Sequence, residues 1–357
     1  MEHGFHGIKK KLGFGVMRLP KIGEEVDIPA VTAMVDAFMQ AGFNYFDTAR
    51  PYLQGQSELA VKTCVARRYP RESFILTNKL SNSCFETEED IRPFFESQLE
   101  ACGVEYFDFY LMHAMNAKSH EKYQATHAYD VAQQLKAEGK IRHVGFSFHD
   151  TADVLDKILT DRPELEVVQL QLNYLDWEDP EVQSRACYEV CVKHNKPVIV
   201  MEPVRGGRLA NVPEQVQILM TNGSPASYAI RFAAGWENVM MVLSGMSNME
   251  QMQDNLSYMT DFKPLDEQEE TVVAQACALI QAQRRIPCTA CEYCVEGCPA
   301  GINIPEVFAC YNDKKRAQYS ALDAKASACV ACGACEKICP QRLEIRELLK
   351  KVAKKFE

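Results

Sequence analysis

Gly42-Phe-Asn-Tyr-Phe-Asp47-Thr-Ala-Arg-Pro-Tyr52 is a short strand-like run, Asn44 to Phe46, that stops on an acid and turns through a proline to a tyrosine. Seven more runs of this kind follow or precede it: Phe14 to Leu19, Phe74 to Thr77, Phe107 to Met112, His143 to Ser147, Val167 to Leu172, Pro197 to Met201 and Val239 to Leu243. Between them, Pro29 to Ala41, Glu88 to Cys102, His127 to Glu138, Ala152 to Asp161, Pro180 to His194 and Met249 to Met259 are long enough for crossover helices. Strand-helix units repeated in this way imply a parallel sheet. Eight of them predict an α/β fold closed into a (β/α)8 TIM barrel over residues 1–265.

Such a barrel collects its chemistry just after the C-terminal ends of its strands. Asp47 follows the second run, Lys79 the third and His113 the fourth, Ser147 ends the fifth, and Gln169 to Asn173 close the sixth. Singly, each has an ordinary explanation: a capping Asp47, a paired Lys79, a satisfied core His113. Stability alone does not require all of them at consecutive strand ends. A phenol titrates near pH ~10 and is a poor acid at neutral pH. A neighbouring ammonium is expected to lower the Tyr52 phenol, with Asp47 keeping Lys79 charged and His113 orienting the substrate oxygen. No nucleophile accompanies them, so the group suits protonation of an oxygen while a hydride arrives from elsewhere.

The composition changes near Gln281–Pro287. Of fifteen cysteines, seven are scattered and eight form two close-set groups, at 288–298 and 329–339. They read Cys288-x2-Cys291-x2-Cys294-x3-Cys298-Pro299 and, 41 residues on, Cys329-x2-Cys332-x2-Cys335-x3-Cys339-Pro340. Three closely spaced thiolates cap one cubane, while the fourth, beside a proline, reaches the other. This assigns Cys288, Cys291, Cys294 and Cys339 to one [4Fe-4S] cluster and Cys298, Cys329, Cys332 and Cys335 to a second. Structural zinc on the same thiolates is the bland alternative, but zinc sites do not call for this doubled, proline-terminated quartet. Residues 286–357 therefore form a small second domain, joined through a connecting helix at 266–285. Its tail, Gln341 to Glu357, is expected to dock through Leu348, Val352 and Phe356 with a solvated basic face. Cys187 and Cys191 share a helical spacing without further ligands, and the scattered cysteines read as small buried apolar residues.

Two resemblances sharpen this reading. Residues 286–342 resemble the bacterial two-cluster ferredoxin. The barrel resembles the aldo-keto reductase superfamily through Phe46-Asp47-Thr48-Ala49-x-x-Tyr52, Ser57-Glu58, Lys79, Leu111-Met112-His113 and Gly139-Lys-Ile-Arg-His-Val-Gly-Phe-Ser147. The resemblance implies Asp47, Tyr52, Lys79 and His113 as a catalytic tetrad. It also implies a nicotinamide dinucleotide lying across the barrel mouth, NADP(H) in preference to NAD(H). Ser147 and Gln169 would hold the carboxamide, and Pro203, Val204 and Gly206 the pyrophosphate. Gly245, Ser247, Gln251 and Asn255 would hold the adenosine end. Met201 stands where the family stacks a tyrosine on the nicotinamide, and Phe148 where it has an asparagine. The basic residues that clamp a 2′-phosphate are missing from 244–251.

With 39 basic against 49 acidic residues the chain carries a net charge of -10, which argues against nucleic acid as a partner. The N-terminal stretch lacks a signal-peptide core and no run is long enough to span a membrane, so a cytoplasmic location is expected. The expected activity is NAD(P)H-dependent reduction of a small carbonyl substrate. A hydride carries two electrons and a cubane passes one, so the clusters are open to three roles: a relay to a redox protein such as ferredoxin, a wire to a substrate, or a structural clasp. A nucleotide-binding redox sensor is a further alternative.

Overall fold

The computed structural model describes residues 5, 7–282 and 285–357. Eight strands pair in parallel and in sequence order: β1 (Leu12–Gly15), β2 (Tyr45–Asp47), β3 (Ile75–Leu80), β4 (Phe107–Met115), β5 (Ile141–Phe148), β6 (Val167–Gln171), β7 (Val198–Met201) and β8 (Val239–Ser244). β8 returns to β1, closing the barrel. Their near-continuous apolar runs follow from burial on both faces, against the barrel interior and against the helix ring.

The register stacks the strand ends. Asp47 stands opposite Thr77, Lys79 opposite Leu111, and Ser147 opposite Gln169. Helices Ile28–Gln40, Glu88–Cys102, Ala128–Ala137, Ala152–Asp161, Ser184–Lys193 and Met249–Met259 fill the crossovers. Others, including Ala117–Ala125 and Pro225–Ala234, were not anticipated.

The first strand is displaced from its expected place. It covers Leu12–Gly15, and Val16–Arg18 form a 3-10 turn. Glycine explains the shift, because a Cβ on Gly13 would lie 2.7 Å from Leu243 and 3.0 Å from Tyr45, so the close inter-strand contact begins there. As a result Arg18, the last residue of that turn, stands at the barrel mouth.

The connecting helix spans Glu267–Ala282, with Gln283 and Arg284 outside the described residues. Val273, Ala276 and Ile280 pack on Tyr174, Leu209 and Tyr228, and Arg231 donates to both Glu269 oxygens at 2.7 and 2.6 Å. It is thus docked on the barrel. The second domain gathers a separate core from Ile302, Ile304, Val307, Phe308, Ile345, Leu349, Val352 and Phe356. Its last helix, Ile345–Phe356, buries Ile345, Leu349, Val352 and Phe356, while Leu348 stays half-buried. Val352 and Phe356 dock as expected, and Leu349 takes the place expected of Leu348, as the i, i+4, i+7 and i+11 spacing from Ile345 requires. Among the described residues no helix is long and apolar enough to cross a membrane.

Candidate active site

β2, β3 and β4 deliver Asp47, Lys79 and His113 to one end of the barrel, and a tight turn beginning at Tyr52 brings the phenol over them. Leu53 and Gln54 in that turn adopt left-handed φ of 51° and 54°. The turn is held from below. Glu58, fully buried, accepts from Arg50, from Asn78 Nδ2 at 2.9 Å and from Gln98 Nε2 at 3.1 Å, and the Thr48 and Ser57 hydroxyls meet at 2.8 Å. Ser57-Glu58 is thus a support for the turn.

Lys79 Nζ, with no solvent exposure, donates to Asp47 Oδ1 at 2.6 Å and to the Thr48 carbonyl at 2.9 Å. Gln169 Nε2 donates to Asp47 Oδ2 at 3.1 Å. The ammonium sits 4.9 Å from the centroid of the Tyr52 ring, and the His113 ring lies edge-on at 5.9 Å. His113 Nδ1 meets Ser81 Oγ at 2.7 Å, and burial pushes this imidazole well below its usual range, keeping it neutral.

The expectation of a lowered phenol is not met. Burial pushes Tyr52 well above its ordinary value, and Tyr293, Asp47 and Glu202 push it the same way. Lys79 does not offset this, because its donors point to Asp47 and Thr48. Burial likewise raises Asp47 and lowers Lys79, with each countering the other.

A cleft of about 660 Å³ opens over these groups, in the range of small-molecule sites. Asp47, Tyr52 and His113 line it, and so do Ser147, Gln169, Met201, Pro203, Val204, Gly206, Gly245, Ser247, Gln251 and Asn255. Lys79 lies behind Asp47 and Tyr52. The helix Met249–Met259 begins at this cleft, with Asn248 capping the Gln251 amide at 2.9 Å and Gln251 Oε1 accepting from Ser247 N at 2.7 Å. Asn255 Oδ1 and Glu202 Oε2 are buried without a partner, as expected of a site that awaits a polar ligand. Length, polarity and a helix start suit an extended dinucleotide. The charge suits it less well: the lining contains Asp47, Glu202, Glu250 and Asp254 against Arg18.

One wall of this cleft comes from the second domain, which sequence reasoning missed. Thr289, Cys291, Tyr293, Pro340 and Gln341 face the barrel mouth. Arg18 donates to the Thr289 carbonyl at 2.8 Å and that of Ala290 at 3.3 Å, the amides of Gln171 and Gln341 exchange hydrogen bonds at 2.9 and 3.1 Å, and Arg342 pairs with Asp150. A Cβ on Gly206 would lie 2.2 Å from the Thr289 carbonyl oxygen. No local pattern in the barrel signals this wall, since it depends on how two sequence-distant units dock.

Within the second domain, one cavity is lined by Cys288, Cys291, Cys294 and Cys339, and another by Cys298, Cys329, Cys332 and Cys335. The left-handed residues Ala290, Glu292 and Ala331 curl the chain between the close-set cysteines. Among the described residues no three His, Cys, Asp or Glu side chains converge on one ion's position. Four soft thiol donors around each of two cavities fit a cubane, whose corners stand further apart than the ligands of a single zinc at ~2.3 Å.

Residues 11–276 match the aldo/keto reductase family model and residues 287–343 the 4Fe-4S dicluster domain. The chain is 26% identical over 268 residues to the 9,11-endoperoxide prostaglandin H2 reductase of Trypanosoma cruzi (strain CL Brener), covering 72% of this chain and 84% of that protein. It is 23% identical over 293 residues to the L-galactose dehydrogenase of Arabidopsis thaliana, covering 75% and 90%. In structure it is similar to an aldo-keto reductase from Klebsiella pneumoniae in complex with NADPH, with a TM-score of 0.61, 18% identity, and coverage of 75% of this chain and 95% of that one.

Proposed function

The chain belongs to the aldo/keto reductase family, and from that premise we propose that it reduces a small carbonyl compound with NAD(P)H, Tyr52 acting as the acid. The observation that carries this reading is the convergence of Asp47, Tyr52, Lys79 and His113 from successive segments under one cleft. When bound, the nicotinamide supplies a hydride and the clusters exchange single electrons. Tyr52 gives its proton to the carbonyl oxygen. A high phenol value does not forbid this, because the alkoxide formed by hydride addition is a stronger base than a phenolate. As the phenolate forms, Lys79 stands 4.9 Å from the ring as the nearest ammonium and supports the charge, while Asp47 and Thr48 hold that ammonium in place. With Ser81 donating to Nδ1, neutral His113 keeps Nε2–H for the substrate oxygen.

Ser147, Gln169 and Met201 would seat the nicotinamide, Pro203, Val204 and Gly206 the pyrophosphate, and Gly245, Ser247, Gln251 and Asn255 the adenosine. Glu250 and Asp254 line that end, and carboxylates read a free ribose hydroxyl more readily than a 2′-phosphate. This favours NAD(H), against the preference implied by the sequence resemblance. Titrating each nucleotide against holoprotein fluorescence checks it: NADH should bind at least as tightly as NADPH, and a much tighter NADPH would restore the earlier preference.

A second reading has its own support. Cys291 lines the same cleft as Tyr52, so a cluster on Cys288, Cys291, Cys294 and Cys339 would border the reaction. Cys332, on the other quartet, is the exposed cysteine among the fifteen. That arrangement favours electron exchange with a redox protein such as ferredoxin over a structural clasp. Fifteen cysteines, none of them in a disulfide, support a reducing, cytoplasmic setting.

One anaerobic experiment separates the readings: holoprotein with NADH or NADPH, cluster absorbance and EPR followed beside nucleotide oxidation, with and without aldehydes. Turnover with aldehydes that falls ~10²- to 10⁴-fold in Tyr52→Phe supports the carbonyl reductase. Cluster reduction by nucleotide without a carbonyl supports the relay. An unchanged rate in Tyr52→Phe would rule out the assigned acid.

A further inference from the structure

The wall over Tyr52 is not part of the barrel, and its side chains are chemically selective. Tyr293 reaches the cleft from the loop between Cys291 and Cys294, and Glu202 reaches it from the end of β7. Tyr52 lines the same cleft, so both side chains share its space. Glu202 has a left-handed backbone, φ 56°, and its Oε2 is buried without a partner. A strained residue presenting an unsatisfied acceptor beside the reacting group is a pattern found at ligand-binding positions.

We propose that Tyr293 and Glu202 form the substrate-recognition pair of this site, selecting an uncharged carbonyl compound that carries a hydroxyl group near the carbonyl. The Glu202 oxygen accepts from that hydroxyl, and the Tyr293 phenol closes the pocket over it with a second hydrogen bond. Anionic substrates are disfavoured by charge. Glu202, Glu250 and Asp254 line the cleft beside the Asp47–Lys79 ion pair, while the Arg18 guanidinium already serves the Thr289 and Ala290 carbonyls. The two histidines facing this end, His113 and His149, are both held neutral by burial. Fully apolar substrates would leave the Glu202 oxygen unpaired. Because Tyr293 belongs to the iron-sulfur domain, substrate choice in the barrel is set partly by that domain. This inference rests on the carbonyl-reductase reading.

The test uses anaerobic holoprotein with iron counted in every variant, and three aldehydes of similar size: D-glyceraldehyde, butanal and succinic semialdehyde. The expected order of kcat/KM is the hydroxylated, the apolar, then the anionic aldehyde, with glyceraldehyde ahead of butanal by about tenfold or more. Tyr293→Phe and Glu202→Leu should each cut that ratio about tenfold. A second readout needs no turnover. In deazaflavin-photoreduced holoprotein, the paramagnetic cluster at Cys291 should broaden the proton resonances of D-glyceraldehyde, and both variants should lose much of that broadening. Unchanged ratios in both variants, or no broadening with the wild-type protein, overturns the proposal. If Tyr52→Phe stays active while the ratios still fall, the acid assignment fails and the recognition pair stands.

Discussion

The barrel and the cysteine-rich domain meet at one cleft, yet they are held together by different physics. The barrel positions Asp47, Lys79 and His113 through strand register, and the charges of Asp47 and Lys79 are satisfied within the protein by each other, by Thr48 and by Gln169. The second domain has no sheet. Its core is a few side chains on short helices, and the two four-cysteine cavities lie inside it. The charge differs too: residues 286–357 carry eleven basic and nine acidic side chains, within a chain whose net charge is -10. The contrast predicts that the barrel holds its site without a cofactor and that the second domain needs its cavities filled.

Breaking that contrast at its weakest point should give the largest effect. Iron chelation, or Cys329→Ser for one cavity alone, should unfold or loosen the second domain while the barrel keeps its thermal transition. Structural metals in small domains supply on the order of 10 kcal/mol of folding free energy. Proteolysis near residue 285 and far-UV circular dichroism would show it, and Cys329→Ser should lower bound iron by about half. Cooperative loss of both regions together would show the barrel to be equally dependent.

Next in size, Lys79→Met should destabilise the barrel by about 3–5 kcal/mol, because Asp47 is left buried without its cation. Denaturant melts at pH 7 measure this. Asp47→Asn with Lys79→Met should recover part of the loss, and no recovery would mean the pair is not the cause.

The smallest effect lies at the seam. His149 lines the cleft and its imidazole is pushed down to about 4, first by burial and then by Arg342. A neutral folded form with an ordinary unfolded value near 6.5 contributes stability that is full above pH ~6.5 and is lost as pH falls toward 4. The loss at pH 4 is at most about 3 kcal/mol, and His149→Gln should flatten the slope in that window. A slope unchanged by that substitution would assign the titration to another group.

The strand ends were legible because alternation of short apolar runs with helical segments leaves few topologies, and parallel strands put their C-terminal ends on one face. That placed Asp47, Lys79 and His113 together, while the place of Tyr52 as fourth member of a tetrad came from the family resemblance. β1 was misplaced because Phe14 to Leu19 is largely apolar, whereas Gly13 marks the close contact with β8 and β2. Tyr52 was found, but its environment was not: the lysine that was to lower its phenol directs its hydrogen bonds elsewhere, which only coordinates reveal.

The amino-acid sequence by itself determined the barrel, the two cysteine quartets and the residues that gather at the strand ends, because each depends on local periodicity or on a fixed spacing. Only the tertiary structure decided that Cys291, Tyr293 and Gln341 close the cleft over Tyr52 and that Glu202 faces it unpaired. Those residues lie 150 or more positions from Tyr52, and no local pattern encodes how one folded surface settles on another.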